Sequence, residues 1–427
     1  MKHYANERLA QLARDRGMPD VYVRDLRVVS SVLPFKVNEY VADELIDWSA
    51  APDDPIFRLT FPHRDMLPAE VFDRMAALLD AGAPRSELRA TATAAQLELN
   101  PHPGGQLESN VPTLDGRRLD GLQHKYAETL LVFPSQGQTC HSYCGYCFRW
   151  AQFVSQEELR QALRDPADLT GYLTHHPEVT DVLFTGGDPM IMRTEVVRRW
   201  VQPLLTATPT VRTLRFGTKA LSYWPARFTQ GPDADDLLRL FEECVARDRH
   251  VAVMAHFSHP RELETNQVRE AIARIRATGA EVRAQAPLVA HVNDDPDAWA
   301  RMWQLQVELG VVPYYMFVER DTGASSYFGI PLARALDIYR EAVQQVSGLA
   351  RTARGPVMSA APGKVMLHGT TEVAGEKAFV LSFLQARRPD WVGRPFFAAY
   401  DEHAQWYDEL KPVSFGTTLP TNGGEQG

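Results

Sequence analysis

The chain has 427 residues, of which 44% are hydrophobic and 23% charged, and carries a formal net charge of -9. This composition excludes a disordered chain, and the acidic balance argues against a nucleic-acid groove or an anionic membrane surface as the main partner, because both need clustered Lys and Arg. A small molecule is the partner that remains. No stretch approaches the roughly 20 consecutive apolar residues of a membrane helix, and the opening MKHYANERLAQLARDRGMPD has no apolar signal core, so a cytoplasmic location is expected.

In chain order, residues 1–115 read as a mostly helical region, with ADELIDW and AEVFDRMAALLDAG as helices and the turn-rich NPHPGGQLESNVPTLDG as a surface connection. Residues 116–350 form a second region in which short β-rich runs recur: TLLVFP (129–134), DVLFT (181–185), VRTLRF (211–216), VAVMAHF (251–257), VRAQAPLV (282–289) and VPYYMFV (312–318). Amphipathic helical stretches separate them, QVREAIARIRATG closing on Gly279 as its C-cap. Strand and helix alternating in this way imply parallel βαβ units, either a barrel or a doubly wound sheet. Residues 351–427 form a third region that reads as irregular, ending in the mobile tail VSFGTTLPTNGGEQG.

Three of the four cysteines fall in CHSYCGYC, as Cys140, Cys144 and Cys147. So tight a grouping cannot staple a chain of this size, so they read as ligands. Cys244 lies on a helical apolar pattern and reads as a small buried hydrophobe. A compact loop can offer three thiolates to one cuboidal [4Fe-4S] cluster and leave the fourth iron open. An open iron suits chemistry: it can bind the amino and carboxylate groups of S-adenosylmethionine and deliver an electron that breaks its carbon–sulfur bond. The competing assignment is a zinc site completed by Cys244, His124 or His141, although zinc ligands usually come as two pairs.

The cysteines follow the first strand of the series at its C-terminal end, where barrel enzymes place their chemistry. Tyr146 and Phe148 interleave with them, as a shield for the cluster or as ordinary packing. At the end of the second strand stand Thr185, Gly186, Gly187 and Asp188, whose paired glycines allow close backbone approach to a bound amino acid. His256 ends the fourth strand and Gln285 lies on the fifth, both candidate site-lining residues.

The ordered motifs HKYAETLLVF, CHSYCGYCFR, TGGDP, HFSHP, QAPLVAHVND, PYYMF and APGK together resemble the lysine 2,3-aminomutase family of radical S-adenosylmethionine, pyridoxal-phosphate-dependent enzymes. The resemblance implies an α/β fold built on a partial (β/α)6 TIM-like barrel. It also implies an isomerase that moves an α-amino group to the β-carbon, with flavodoxin or ferredoxin as reductant; a homo-oligomeric assembly is expected, although the zinc-bridged assembly of some members does not carry over. Pyridoxal 5'-phosphate would be carried on Lys364, although this chain has the single Gly363 where members have a longer glycine run. Lys125, Tyr146, Thr185, Gly186, Gly187, Asp188, His256 and Gln285 would line the cofactors. Some members bind zinc through cysteines near the C-terminus; here only Cys244 follows Cys147, so no structural zinc is expected.

By the same resemblance, Arg149 would pair with the substrate α-carboxylate. Lysine-specific members hold the distal ammonium with two aspartates, and the matching positions here are Arg320 and Ala360. A guanidinium in place of an acid favours a carboxylate over an ammonium, so an acidic substrate, glutamate going to β-glutamate, is expected first. A one-residue slip would bring in Asp321 and restore a cationic substrate such as lysine or arginine. The rival readings are a dehydratase or a modifier of a carrier-bound amino acid on the same scaffold, and a non-catalytic electron-transfer protein.

Overall fold

The computed structural model describes residues 1–100, 110–154, 161–414 and 419–420. By internal contacts it divides into a unit of Met1–His256, Glu264–Val282 and Thr322–Phe328, and a unit of Phe257–Leu263, Arg283–Asp321 and Gly329–Gly427.

The helices of the first unit's N-terminal region include α1 (Glu7–Asp15), α2 (Asp20–Ser30), α3 (Ala69–Asp80) and α4 (Arg85–Glu98). Each buries residues three and four apart, such as Leu9, Leu12 and Ala13 in α1 and Val71, Phe72, Met75 and Ala76 in α3, the stripe an amphipathic helix presents to a core. ADELIDW differs from expectation: it makes one wide turn, Val41–Leu45, and Ile46 is extended. The Trp48 indole donates to the Ala42 carbonyl at 2.7 Å, taking the acceptor that a continuing α-helix would use. Most of the expected connection after α4, residues 101–109, lies outside the described residues.

Four parallel strands follow: β1 (Thr129–Val132), β2 (Asp181–Phe184), β3 (Thr213–Thr218) and β4 (His250–His256). Their register runs Thr129↔Asp181, Asp181↔Thr213 and Thr213↔His250, so their C-terminal ends stand together. Helices α5 (Pro166–His175), α6 (Thr194–Ala207) and α7 (Pro232–Val245) connect them. After β4 comes α8 (Asn266–Ala277), capped by Thr265 and stopped at Gly279, whose φ is 85°. An edge strand, Leu122–Tyr126, pairs antiparallel with β1.

The second unit carries β5 (Glu281–Leu288) from Arg283 onward, α9 (Pro296–Glu308), β6 (Val312–Val318) and α10 (Leu332–Gln344). β5 and β6 are parallel, with Arg283 opposite Val312 and Leu288 opposite Val318. Beyond residue 350 the chain is not irregular. It forms β7 (Arg354–Ser359), parallel to β6, then an antiparallel meander of β8 (Gly363–Val373), β9 (Glu376–Ala386) and β10 (Pro395–Ala399). Val365 and Leu367 of β8 and Phe379, Leu381 and Phe383 of β9 alternate inward onto Leu332, Leu336 and Trp406. The turn between β8 and β9 places Ala374 and Gly375 at φ 50° and 80°, the conformation of a tight hairpin, reached without the Asn-Gly pair that announces it. Of the expected mobile tail, residues 415–418 and 421–427 lie outside the described residues, while the Pro420 carbonyl accepts the Tyr407 hydroxyl at 2.8 Å.

Candidate functional site

The loop after β1 presents Cys140, Cys144 and Cys147, all half-buried. Its shape is held from several sides. The Gly145 amide donates to the Leu59 carbonyl at 2.7 Å, and the Tyr143 amide and Ser142 hydroxyl donate to the Lys36 carbonyl at 2.8 and 3.0 Å. A Cβ on Gly145 would come within 2.9 Å of the Phe328 ring, so glycine is needed where the loop crosses that side chain. Burial pushes the Cys140 thiol well above its usual range, and Asp188, Cys147 and Cys144 add to this while Lys36 opposes it. Burial raises the Cys147 thiol too, against the Arg149 amide and charge.

Neighbouring thiols of this kind lose their protons when positive ions bind them. Among the described residues no three His, Cys, Asp or Glu side chains converge on one metal ion. Three thiols on one short loop are the donor set that a cuboidal cluster takes, one for each of three irons, so the residues fit such a cluster. Cys244 is on the buried face of α7, and His124 is engaged by the Tyr172 hydroxyl at 2.7 Å and the Ala127 carbonyl at 3.1 Å.

The glycine turn after β2 packs directly on this loop. The Gly187 amide donates to the Gly137 carbonyl at 3.1 Å, and the Asp188 amide to the Thr139 carbonyl at 2.9 Å. A Cβ on Gly187 would lie 2.5 Å from the Thr139 backbone, and one on Gly186, whose φ is 141°, 2.4 Å from the Gln138 side-chain Nε2. Thr185 donates its amide to the Val132 carbonyl at 2.9 Å. The Asp188 carboxylate faces inward: it accepts from the Met190 amide, the Thr218 hydroxyl and the Lys219 amide, at 2.7 to 2.9 Å. Burial raises its pKa to about 6, against those hydrogen bonds. Asp188 therefore ties β2, β3 and the cysteine loop together. His141 lies 3.8 Å from it, buried, with neither ring nitrogen hydrogen-bonded among the described residues.

Arg149 is 9% exposed, its guanidinium 4.0 Å over the Phe133 ring and its Nη1 donating to Gln152 at 3.3 Å. Tyr146 meets Phe328 edge-on at 6.3 Å. His256 closes β4, its pKa lowered to about 3 by burial and then by Lys219. Lys125 is not brought to this group. It lies on the edge strand between the pairs Gln123↔Leu131 and Tyr126↔Thr129, beside the N-terminal end of β1, whereas the cysteine loop leaves the other end.

The second unit holds the remaining candidates. Gln285 of β5 pairs in register with Tyr315 of β6. Lys364, the second residue of β8, pairs with Ser359 and Gln385, its ammonium 4.5 Å from the Tyr315 ring centre and 5.8 Å from that of Phe317. With no glycine run before it, the strand starts at Gly363, so the lysine is half-buried on aromatic faces rather than waving on a turn. A Cβ on Gly363 would lie 2.4 Å from the Gln385 carbonyl oxygen. A partly desolvated amine is the kind that condenses with a carbonyl, and its aromatic floor suits a planar ring, so the residues fit pyridoxal phosphate. Arg320 sets its guanidinium 5.8 Å from the Trp406 ring centre. Ala360 is buried.

Sequence reasoning missed Lys36, Phe133, Tyr315, Phe317 and Glu319. Glu319 is 7% exposed, and neither carboxyl oxygen has a hydrogen-bond partner among the described residues. Burial, and then the charge of Asp321, push its pKa well above the usual carboxyl range. Its position just past the Tyr-Tyr strand was a readable signal; nothing in the sequence marks Lys36.

No family model matches the chain. It is similar to an Aquifex aeolicus protein provisionally named L-lysine 2,3-aminomutase, 29% identical over 92% of this chain and 91% of that protein. It is similar to the L-lysine 2,3-aminomutase of Escherichia coli, 29% identical over 53% of this chain and 63% of that protein. The glutamate 2,3-aminomutase of Clostridioides difficile is 24% identical over 54% of this chain and 51% of that protein. The matches to the latter two span less than two thirds of those proteins.

Proposed function

From a sequence related to the lysine 2,3-aminomutases, we propose that this protein is a radical S-adenosylmethionine isomerase that moves the α-amino group of an amino acid to the β-carbon, glutamate being the first candidate. The observation that carries the reading is the cysteine loop hydrogen-bonded to the glycine turn at the C-terminal ends of β1 and β2. When bound, the iron–sulfur cluster supplies the electron that cleaves S-adenosylmethionine, and pyridoxal phosphate supplies a ring that delocalises an unpaired electron.

The chain's own residues hold and orient. Cys140, Cys144 and Cys147 provide three ligands and leave the fourth position to the amino acid end of S-adenosylmethionine. Gly186 and Gly187 keep side chains out of the turn beside that position. Arg149, its planar face resting on Phe133, offers a fork matched to an α-carboxylate. Lys364 supplies the amine for pyridoxal phosphate. Arg320 supports a substrate with an acidic side chain, and a Glu319 carboxyl kept toward its neutral form adds a hydrogen-bond donor instead of a repelling charge.

The test is turnover by the reconstituted full chain with S-adenosylmethionine, a reductant and, separately, glutamate, lysine and arginine. β-Glutamate as the main product supports the reading in full; β-lysine alone keeps the reaction and removes the substrate; no β-amino acid from any of them removes the reaction.

A further inference from the structure

Lys36 touches the cysteine loop twice, by independent means. Its carbonyl accepts from the Tyr143 amide and the Ser142 hydroxyl. Its ammonium donates to the Thr139 hydroxyl at 3.1 Å and lies 4.6 Å over the Tyr143 ring. Thr139 immediately precedes Cys140. The segment that carries Lys36 is itself fixed: Val37 and Asn38 are buried, and the Asn38 amide nitrogen donates to the Tyr223 carbonyl at 2.8 Å while its oxygen accepts from the Val41 amide at 2.9 Å. The charge is therefore held beside the first cysteine by a rigid strap and a part-buried side chain.

Other charged or titratable groups near it are His3 and His141, both of which its positive charge pushes toward their neutral forms, and the Cys140 thiol, which it favours in the ionised form. Burial lowers the pKa of Lys36 itself and Cys140 acts in the opposite sense.

We propose that Lys36 is a positioning residue for the iron–sulfur site, its ammonium being a fixed positive charge that favours the reduced cluster. The inference rests on the reading of Cys140, Cys144 and Cys147 as cluster ligands. Reduction adds one negative charge to a site already bearing three thiolates, and a cation held in a part-desolvated position lowers the cost of that charge. The backbone carbonyl of Lys36 holds the loop whatever its side chain, so the ammonium can be removed while the strap stays.

The experiment uses the full chain, reconstituted with iron and sulfide, as wild type, Lys36→Met and Lys36→Arg. The cluster midpoint potential is measured by redox titration followed by electron paramagnetic resonance, with iron content and thermal unfolding recorded alongside. Lys36→Met should keep wild-type iron content and shift the midpoint to more negative potential, and Lys36→Arg should restore the wild-type value. An unchanged midpoint in Lys36→Met overturns the proposal, as does an equal loss of iron and stability in both variants, which marks a purely structural role. Iron uptake in Cys140→Ala equal to that of the wild-type chain removes the cluster reading itself, a result distinct from either.

Discussion

The Asp188 amide donates to the Thr139 carbonyl at 2.9 Å, which makes the glycine turn after β2 the floor of the cysteine loop. The Asp188 carboxylate meanwhile grips Thr218 and the Lys219 amide, so the ends of β2 and β3 and the loop after β1 are fixed relative to one another through one residue.

Gly187 is the tightest point of that contact. A Gly187→Ala methyl would sit 2.5 Å from the Thr139 backbone, which can yield only by moving the cysteine loop. Overpacking of this kind costs about 1–3 kcal/mol, and iron uptake on reconstitution should fall well below wild type. Gly217→Ala, whose added methyl would find its nearest neighbours at 3.6 to 3.7 Å, should leave iron uptake and the denaturation midpoint nearly unchanged. Equal iron content in the two variants would show that the contact does not shape the loop.

Lys364 and Gly363 separate chemistry from packing. Lys364→Ala should abolish the visible absorbance that pyridoxal phosphate gives on the wild-type chain, with little change in thermal unfolding, because the ammonium is only half-buried. Gly363→Ala should lose both, since its methyl would meet the Gln385 carbonyl oxygen at 2.4 Å and the Phe383 ring at 2.7 Å. Absorbance that survives Lys364→Ala would move the carrier lysine elsewhere.

Acid sensitivity has an identifiable contributor in His259. Burial, followed by the charge of Arg261, lowers its pKa from 6.5 to about 4, and its Nδ1 accepts the Arg261 amide at 3.3 Å. The folded state therefore binds fewer protons than the unfolded state between those values. Stability from this group is complete above pH 6.5 and is lost as the pH falls toward about 4, by on the order of 3 kcal/mol. His259→Asn keeps an acceptor and cannot titrate, so its urea midpoint should fall less than that of wild type between pH 7 and 4.5. Parallel declines would assign the sensitivity to other groups.

Much of the scaffold was legible because its signals are local. All six strands fall within two residues of the expected runs, since short β-rich segments between amphipathic helices leave little freedom of assignment. The cysteine loop and the glycine turn could each be placed at a strand end, but their packing on one another depends on hydrogen bonds between residues about fifty apart. Lys36 reaches the loop from over one hundred residues upstream, and no spacing rule encodes that. Lys125 was drawn in by its place in a motif, and the antiparallel edge strand puts it at the far end of β1. The β8–β9 hairpin was hidden because Ala374 takes a positive φ without a residue type that advertises it.

Under the proposed reading, Glu319 distinguishes between the two substrate charges. Its carboxyl is buried with neither oxygen hydrogen-bonded among the described residues, and burial with the Asp321 charge drives it toward the neutral acid. A neutral acid donates a hydrogen bond to a carboxylate, and Glu319→Gln keeps a donor of similar shape. With glutamate as substrate, Glu319→Gln should therefore retain kcat/KM within about threefold, and Glu319→Ala should lose about tenfold, mostly in KM, the worth of one hydrogen bond of about 1.4 kcal/mol. A cationic substrate requires the ionised form, and Glu319→Gln would then be as damaging as Glu319→Ala, because a charged hydrogen bond is worth about 1.5–3 kcal/mol. Steady-state rates of the two variants with glutamate and with lysine read the sign of the recognised group directly: tolerance of glutamine supports the acidic substrate, and equal loss in both variants assigns Glu319 to an ammonium.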